Sequence, residues 1–511
     1  MLTPTAFPSP GYLGLNKQQE SVPLGPEWAV VADNGVIDSA GRIAARKGWS
    51  KLTSSPITGS PTIEALWEHV VEAGTTELVA AGGDKLWSSD DSGATWTDRT
   101  GSLSFTNDNY QFANFNGKCI ACTSGEGLAS RTTGNFATIS ATSGTIPSNP
   151  VAILAAFGRL WSVGSDLQTI YYSALLDETK YATADGAGTI DMSSVWSNGT
   201  DIVVALAAFN GRLVVFGRKH IIVWSDGKGS ELGVDPNELY VEESIEGVGT
   251  VARDSVCNIG EGELMFLSQS GIRSLARVLV EKGQPFYSVT ENIRDAVIAD
   301  FLDSGVDQTK VRSAFSAQNG FYLLSSIDAG KTVCVDMRAA FQNGARRVFL
   351  WRGFTPYSMA TRVNGDLLFG WAGGLVGKYA GYNDNTASYR FEFRSPFLDL
   401  GPEQNAFYKE LKRIRMTAYS GGGLTPVLYW RWDFSTTSYS QTFVYDSATD
   451  AEYGISEFGI AEFGGSSTQR TSMAGGWGAG QYFCMGVIVD IDGRPFALQN
   501  ITAYYDKANF A

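Results

Sequence analysis

At 511 residues and a net charge of −14, the chain is too long for one small core and lacks the basic surface that phosphate neutralisation requires. Charged residues are only 18% of it, against 58 glycines and 12% aromatics, which favours short strands and tight turns over long charged helices. No apolar run is long enough for a membrane span, and no secretory signal is visible at the start.

In chain order, residues 1–60 begin Pro- and Gly-rich. They continue as "EWAVVADNGVIDSAGRIAARKGWSKL", which reads as strand, turn, strand. From 61 to 385 one theme recurs: a strand, a tight turn with Asn-Gly or Gly, an apolar strand, then a third strand. It starts again near Thr76, Tyr110, Val151, Ile202, Ser255, Ser313 and Ala360. Asn-Gly supplies the positive φ angles of two-residue hairpin turns, and the flanking runs are short and often continuously apolar, as doubly buried strands are. A spacing of roughly forty to fifty residues is that of a four-stranded propeller blade. The expectation is an all-β protein with a β-propeller of seven blades, or alternatively six.

The first unit carries "SSDDSGATWTD". Its Ser89, Asp91, Gly93, Thr95 and Trp96 form an Asp-box, the blade turn familiar from sialidases and other propellers. "SRTTGNFATI", from Ser130, is a degenerate copy in the next unit. In this motif the Asp binds turn amides, the Gly allows the bend and the Trp packs beneath, so its role is structural.

A sugar-cutting alternative needs clustered arginines and paired acids or an activated tyrosine. Arg131, Arg159, Arg212, Arg218, Arg273 and Arg312 fall at varied points of the units, and each reads as a rim residue. His69 and His220 are isolated, and each reads as structural. Trp87, Trp161 and Trp224 could stack on sugars in a carbohydrate-binding adhesin, but they end apolar strands and read as packing between blades. Cys119 and Cys122 form a CxxC on a strand, where residues three apart face opposite sides, so neither a metal nor a redox pair is expected. No catalytic set, cofactor site or metal site is expected.

From 386 to 511 alternating runs such as "YRFEFRSPFLDLG", "YKELKRIRMTAYS" and the closing "GRPFALQNITAYYDK" indicate half-buried antiparallel strands. A β-sandwich platform built from the N- and C-terminal segments is the economical arrangement. An interaction loop is expected near 446–480, where "GISEFGIAEF" repeats in tandem. Its Ile455, Phe458, Ile460 and Phe463 are costly to leave in water and are candidate partner contacts. Lys409, Lys412, Arg413 and Arg415 of "KELKRIR" are the other candidates.

Four stretches carry a resemblance that touches most of the chain: "VPLGPEWAVVADNGVIDSAGRIAARKGW", "AFNGRLVVFGRKHIIVWSDG", "VARDSVCNIGEGELMFLSQSGIRSL" and "GRPFALQNITAYYDK". The chain resembles the tail nozzle proteins of short-tailed bacteriophages, the packaged-DNA stabilisation or tail tubular protein B-like family. The resemblance implies a structural virion protein in the phage tail, made in the host cytoplasm. It implies a hexameric ring below a head-to-tail adaptor protein, with tail fibres or a tail needle or plug as further partners. Genomic DNA would pass through the channel without sequence-specific binding.

Overall fold

The computed structural model describes residues 2–71, 74–106, 109–124, 126–197, 199–226, 236, 238–260, 262–281, 288–303, 305–400, 407–445 and 468–508. Strands dominate it, and the first four repeat units are separate four-stranded antiparallel meanders. They are blade 1 (Ala65–Val70 to Thr97–Asp98), blade 2 (Tyr110–Phe115 to Ala137–Thr138), blade 3 (Ala152–Ala156 to Gly188–Asp191) and blade 4 (Val203–Phe209 to Tyr240–Glu246). The hairpins form where they do because Asn-Gly takes the mirror-image turn. Asn116 and Gly117 sit at φ 48° and 72°, and Asn210 and Gly211 at 47° and 75°.

Blade 5 has three strands (Cys257–Gly260, Glu263–Ser268, Gly271–Ser274). The short helix Leu275–Glu281 follows in place of a fourth strand, burying Leu275 and Val278 against blade 4. Blade 7 pairs Ser358–Thr361, Leu367–Trp371 and Leu375–Tyr379 with Trp49–Lys51 from the N-terminal segment. That last strand lies inside the segment expected to serve the platform. It closes the ring instead, with Trp49 stacked on Trp371 at 4.9 Å. Around the axis the first strands meet in sequence order, the turn Arg253–Ser255 bridges blades 4 and 5, and Ser358–Thr361 returns to Ala65–Val70.

The strands Val311–Ser316, Phe321–Ser326, Lys331–Ala340 and Arg346–Arg352 occupy the sixth position of this ring without forming a separate sheet. Arg346–Arg352 pairs in parallel with Val31–Asp33, and the sheet runs on through Tyr389–Arg394, Phe483–Ile491, Val427–Trp432 and Tyr439–Thr442. Six blades therefore stand alone, and the remaining unit is shared with the platform.

The second platform sheet is built on the long pair Tyr408–Ser420 and Phe496–Ala508, flanked by Thr3–Pro8, Gly35–Ile37, Ile43–Ala45, Thr468–Gly475 and Ala479–Gly480. Its inner residues, including Leu411, Ile414, Met416, Leu498 and Ile501, share one core with Phe391, Phe393, Leu428, Trp430 and Val487 of the first sheet. A bulge at Lys412 shifts the alternation by one residue, so that Lys409 and Leu411 before it and Ile414 and Met416 after it all face inward. The result is a β-sandwich made by both ends of the chain.

Arg46 lies where propeller and sandwich meet, with its side chain fully buried. Both terminal nitrogens reach Asp384 at 2.7 Å, Nε donates to Asn34 Oδ1 at 3.0 Å, and Nη1 also reaches the Lys47 carbonyl. The guanidinium lies over Tyr389 (4.1 Å) and Phe354 (4.4 Å). One side chain thus joins the N-terminal segment, the ring closure, the shared sheet and the platform. Planar and permanently charged, arginine suits this combination of fork and ring contacts.

Candidate functional site

Three places bear on function: the blade rims, the open face of the platform and the propeller axis. On the rim of blade 1 the Asp-box is a closed hydrogen-bond circuit. Ser89 Oγ donates to Asp91 Oδ1 (2.7 Å) and accepts from the Gly93 amide (2.9 Å). Thr95 donates its amide (2.9 Å) and hydroxyl (2.6 Å) to Asp91, and Trp96 Nε1 caps the Gly93 carbonyl (2.9 Å). The Thr95 hydroxyl and amide, joined by the Ser89 hydroxyl, hold the Asp91 carboxyl well below the usual carboxylate range. Every oxygen of this carboxylate faces its own turn, and Trp96 packs into the core between blades 7 and 1.

The second copy keeps the turn and changes the fastener. Gly134 retains a positive φ of 74°, but its carbonyl is capped by Arg131 Nε at 2.6 Å, as Trp96 caps Gly93. The same guanidinium makes two 2.7 Å bonds to Glu77 of blade 1, so this turn ties two blades together.

The arginines do not converge. Arg159 serves the Ser173 and Gly186 carbonyls, Arg212 pairs with Glu242, Arg273 reaches Ser270, and the Arg218 amide binds Asp201. His220 Nδ1 lies 2.9 Å from Asp201, whose carboxylate also collects the amides of Ile202, Arg218 and Lys219. Asp201 thus fastens the hairpin turn of blade 4. His69 is buried with Nδ1 2.9 Å from Asn114 Oδ1, which also receives Trp67 Nε1. Trp87, Trp161 and Trp224 are buried in the cores between blades. Cys119 enters the core between blades 1 and 2 and Cys122 that between blades 2 and 3; burial pushes the Cys122 thiol up to about 12. Among the described residues, no group of His, Cys, Asp and Glu is placed to hold a metal ion, and no helix is long and apolar enough to cross a membrane.

Of the platform candidates, Ile455, Phe458, Ile460 and Phe463 lie outside the described residues. Lys409 is buried, with Nζ donating to the Gln481 carbonyl at 2.7 Å, and burial lowers its pKa. Alternation along the strand turns it inward, so it offers nothing to a partner. Lys412 pairs with Glu410 at 2.5 Å. Arg413 is exposed, and Arg415 reaches Thr502 Oγ1 at 3.3 Å with its guanidinium 5.9 Å from the Tyr504 ring. Beside them runs Thr468–Gly475, the edge of this sheet, and among the described residues no strand lies beyond it. Met473 is 51% exposed on it, and Trp477 just after it 48%. An eight-residue edge without Lys or Pro is open to strand addition.

The axis was not legible in the sequence, since Arg253 and Asp254 belong to no motif and Arg312 reads as a rim residue. Arg253 donates to the carbonyls of Val151 (2.9 Å) and Tyr110 (3.1 Å), to Asn109 Oδ1 (2.8 Å) and to Asp254 (2.8 and 3.0 Å). Arg312 lies 3.1 Å from the same Asp254. Burial alone would push the Asp254 carboxyl up, but the two guanidinium groups outweigh it and hold it low. Above this ion triad lies a cavity of about 380 Å³ lined by the first strands of every unit but blade 5, where Asp254 and Val256 line it instead, with Trp67, Gln111 and Leu154 on its wall.

No family model and no curated protein matches the chain. Among solved structures it is similar to YCF48 bound to D1 peptide (12% identity, 66% of this chain and 99% of that one, TM-score 0.37). It is also similar to the WD40 β-propeller domain of Doa1 (13% identity, 65% and 97%, TM-score 0.37). The propeller assignment rests on the sheets described above.

Proposed function

We propose that the chain is a structural ring protein of a short-tailed phage tail, the nozzle through which the genome leaves. The observation that carries this reading is the platform: a sandwich assembled from both ends of the chain, fused to one blade, with an edge strand on its second sheet that is bare among the described residues. A lone propeller has no use for such an appendage, whereas a ring subunit needs a rigid slab with an edge or face for its neighbour. The four sequence stretches that resemble nozzle proteins fall in both parts.

In this reading six copies meet through the platform, and the propeller hangs from the shared sheet as a rigid body. The chain's excess of acid repels DNA phosphates, so the genome slides through without being held. The adaptor above and fibres or a needle below bind protein surfaces. The protein is a conduit and not a catalyst, and it resides in the virion. Electron microscopy of the isolated protein tests this: six-fold rings with an open channel are expected. A stable monomer that hydrolyses a glycoside overturns it.

A further inference from the structure

We infer that the axial cavity is a binding site for a small neutral sugar, independently of the ring reading. Its volume, about 380 Å³, lies at the low end of ligand pockets, which suits a guest of one or two rings. The polar groups at its base are not all used. Gln111 Oε1 accepts the Ile153 amide at 2.8 Å, and among the described residues its Nε2 has no partner. Arg312 commits Nη1 to the Thr309 and Val311 carbonyls and to Asp254, while its Nε and Nη2 likewise have none.

Neither side chain has its spare donors sealed away from space, so those donors face a guest or water. An acceptor-rich guest satisfies them, and the Glu64 and Asp254 carboxylates on the same lining can accept its hydroxyls. Trp67 is held by its indole N–H on Asn114, which fixes the ring as a half-buried wall. A flat apolar wall beside a few convergent donors and acceptors is the arrangement that a sugar ring, apolar on one face and polar at its edge, requires. The two guanidinium groups and Asp254 together carry one positive charge, and the Glu64 carboxylate on the same lining offsets it, which favours a neutral guest over an anion or a cation.

Saturation-transfer NMR with the methyl glycosides of glucose, galactose and N-acetylglucosamine tests the site. At least one should receive saturation from the folded protein. Gln111→Glu keeps the acceptor for the Ile153 amide but removes the donor, and should weaken binding about tenfold or more. Ala155→Phe fills the cavity from the Ala152–Ala156 strand and should abolish binding; its thermal midpoint reports whether it folds. If it does not fold, Gln111→Glu decides. No transfer to wild type, or transfer undiminished in the folded variants, overturns the inference.

Discussion

The propeller and the platform are both stacks of antiparallel sheet, but one is closed and the other is open. In the propeller each blade buries both faces against neighbours, and the ring is sealed by Trp49–Lys51. Many of its polar devices serve the fold itself. Asp91 serves its own turn, Asp201 its own hairpin, and Arg131 the next blade. The platform's second sheet ends instead at Thr468–Gly475, with exposed Met473 nearby. In the proposed ring, the open part is where a neighbour would add.

If that contrast holds, the largest stability effects belong to groups that close the molecule. Arg46→Ala leaves Asp384 and Asn34 without their partner at the joint, and should cost about 4 kcal/mol by chemical denaturation, as expected for breaking a buried pair. A loss confined to the platform, with the propeller's transition unmoved, would show that the joint is not shared. Arg131→Ala strands Glu77 between blades 1 and 2 and should cost about 3 kcal/mol.

Asp201 gives a pH signature. Burial raises its carboxyl, but His220 and the amides of Lys219, Ile202 and Arg218 outweigh that and hold its folded pKa below the unfolded value. Its contribution is therefore present above the unfolded carboxylate pKa and is lost as pH falls through the lower folded value. Asp201→Asn should cost about 2 kcal/mol at neutral pH and flatten the profile below pH ~4. The smallest effect is expected at the rim. Asp91→Ala should leave the global midpoint almost unchanged, because Asp91 and its partner Thr95 are solvent-exposed, while the Gly93 and Thr95 amides exchange faster with solvent.

Much of the closed part could be read in advance because its signals are local. Asn-Gly at 116–117 and 210–211 set hairpins within a few residues, and the CxxC on Lys118–Thr123 splits between two cores as strand alternation requires. What escaped was non-local. Arg46 looks like one basic residue of "AARKGW", and its partner Asp384 is 338 residues away. The closing strand Trp49–Lys51 is three residues long, too short for a period. The helix Leu275–Glu281 continues an apolar run that strand and helix could equally own, and packing against blade 4 decides for helix. The axial triad escaped for the same reason as Arg46, since Arg253, Asp254 and Arg312 meet only once the ring has closed. On the platform, Lys409 shows the limit of reading a basic run as surface, because alternation buries every second residue.

The contrast between closed propeller and open platform is tested most directly by the solution mass of wild type against a Thr471→Lys/Met473→Lys variant, since lysines on an edge discourage strand addition. The account predicts a six-copy ring for wild type and a monomer with an unchanged thermal midpoint for the variant. A monomeric wild type, or a variant that still assembles, would contradict it.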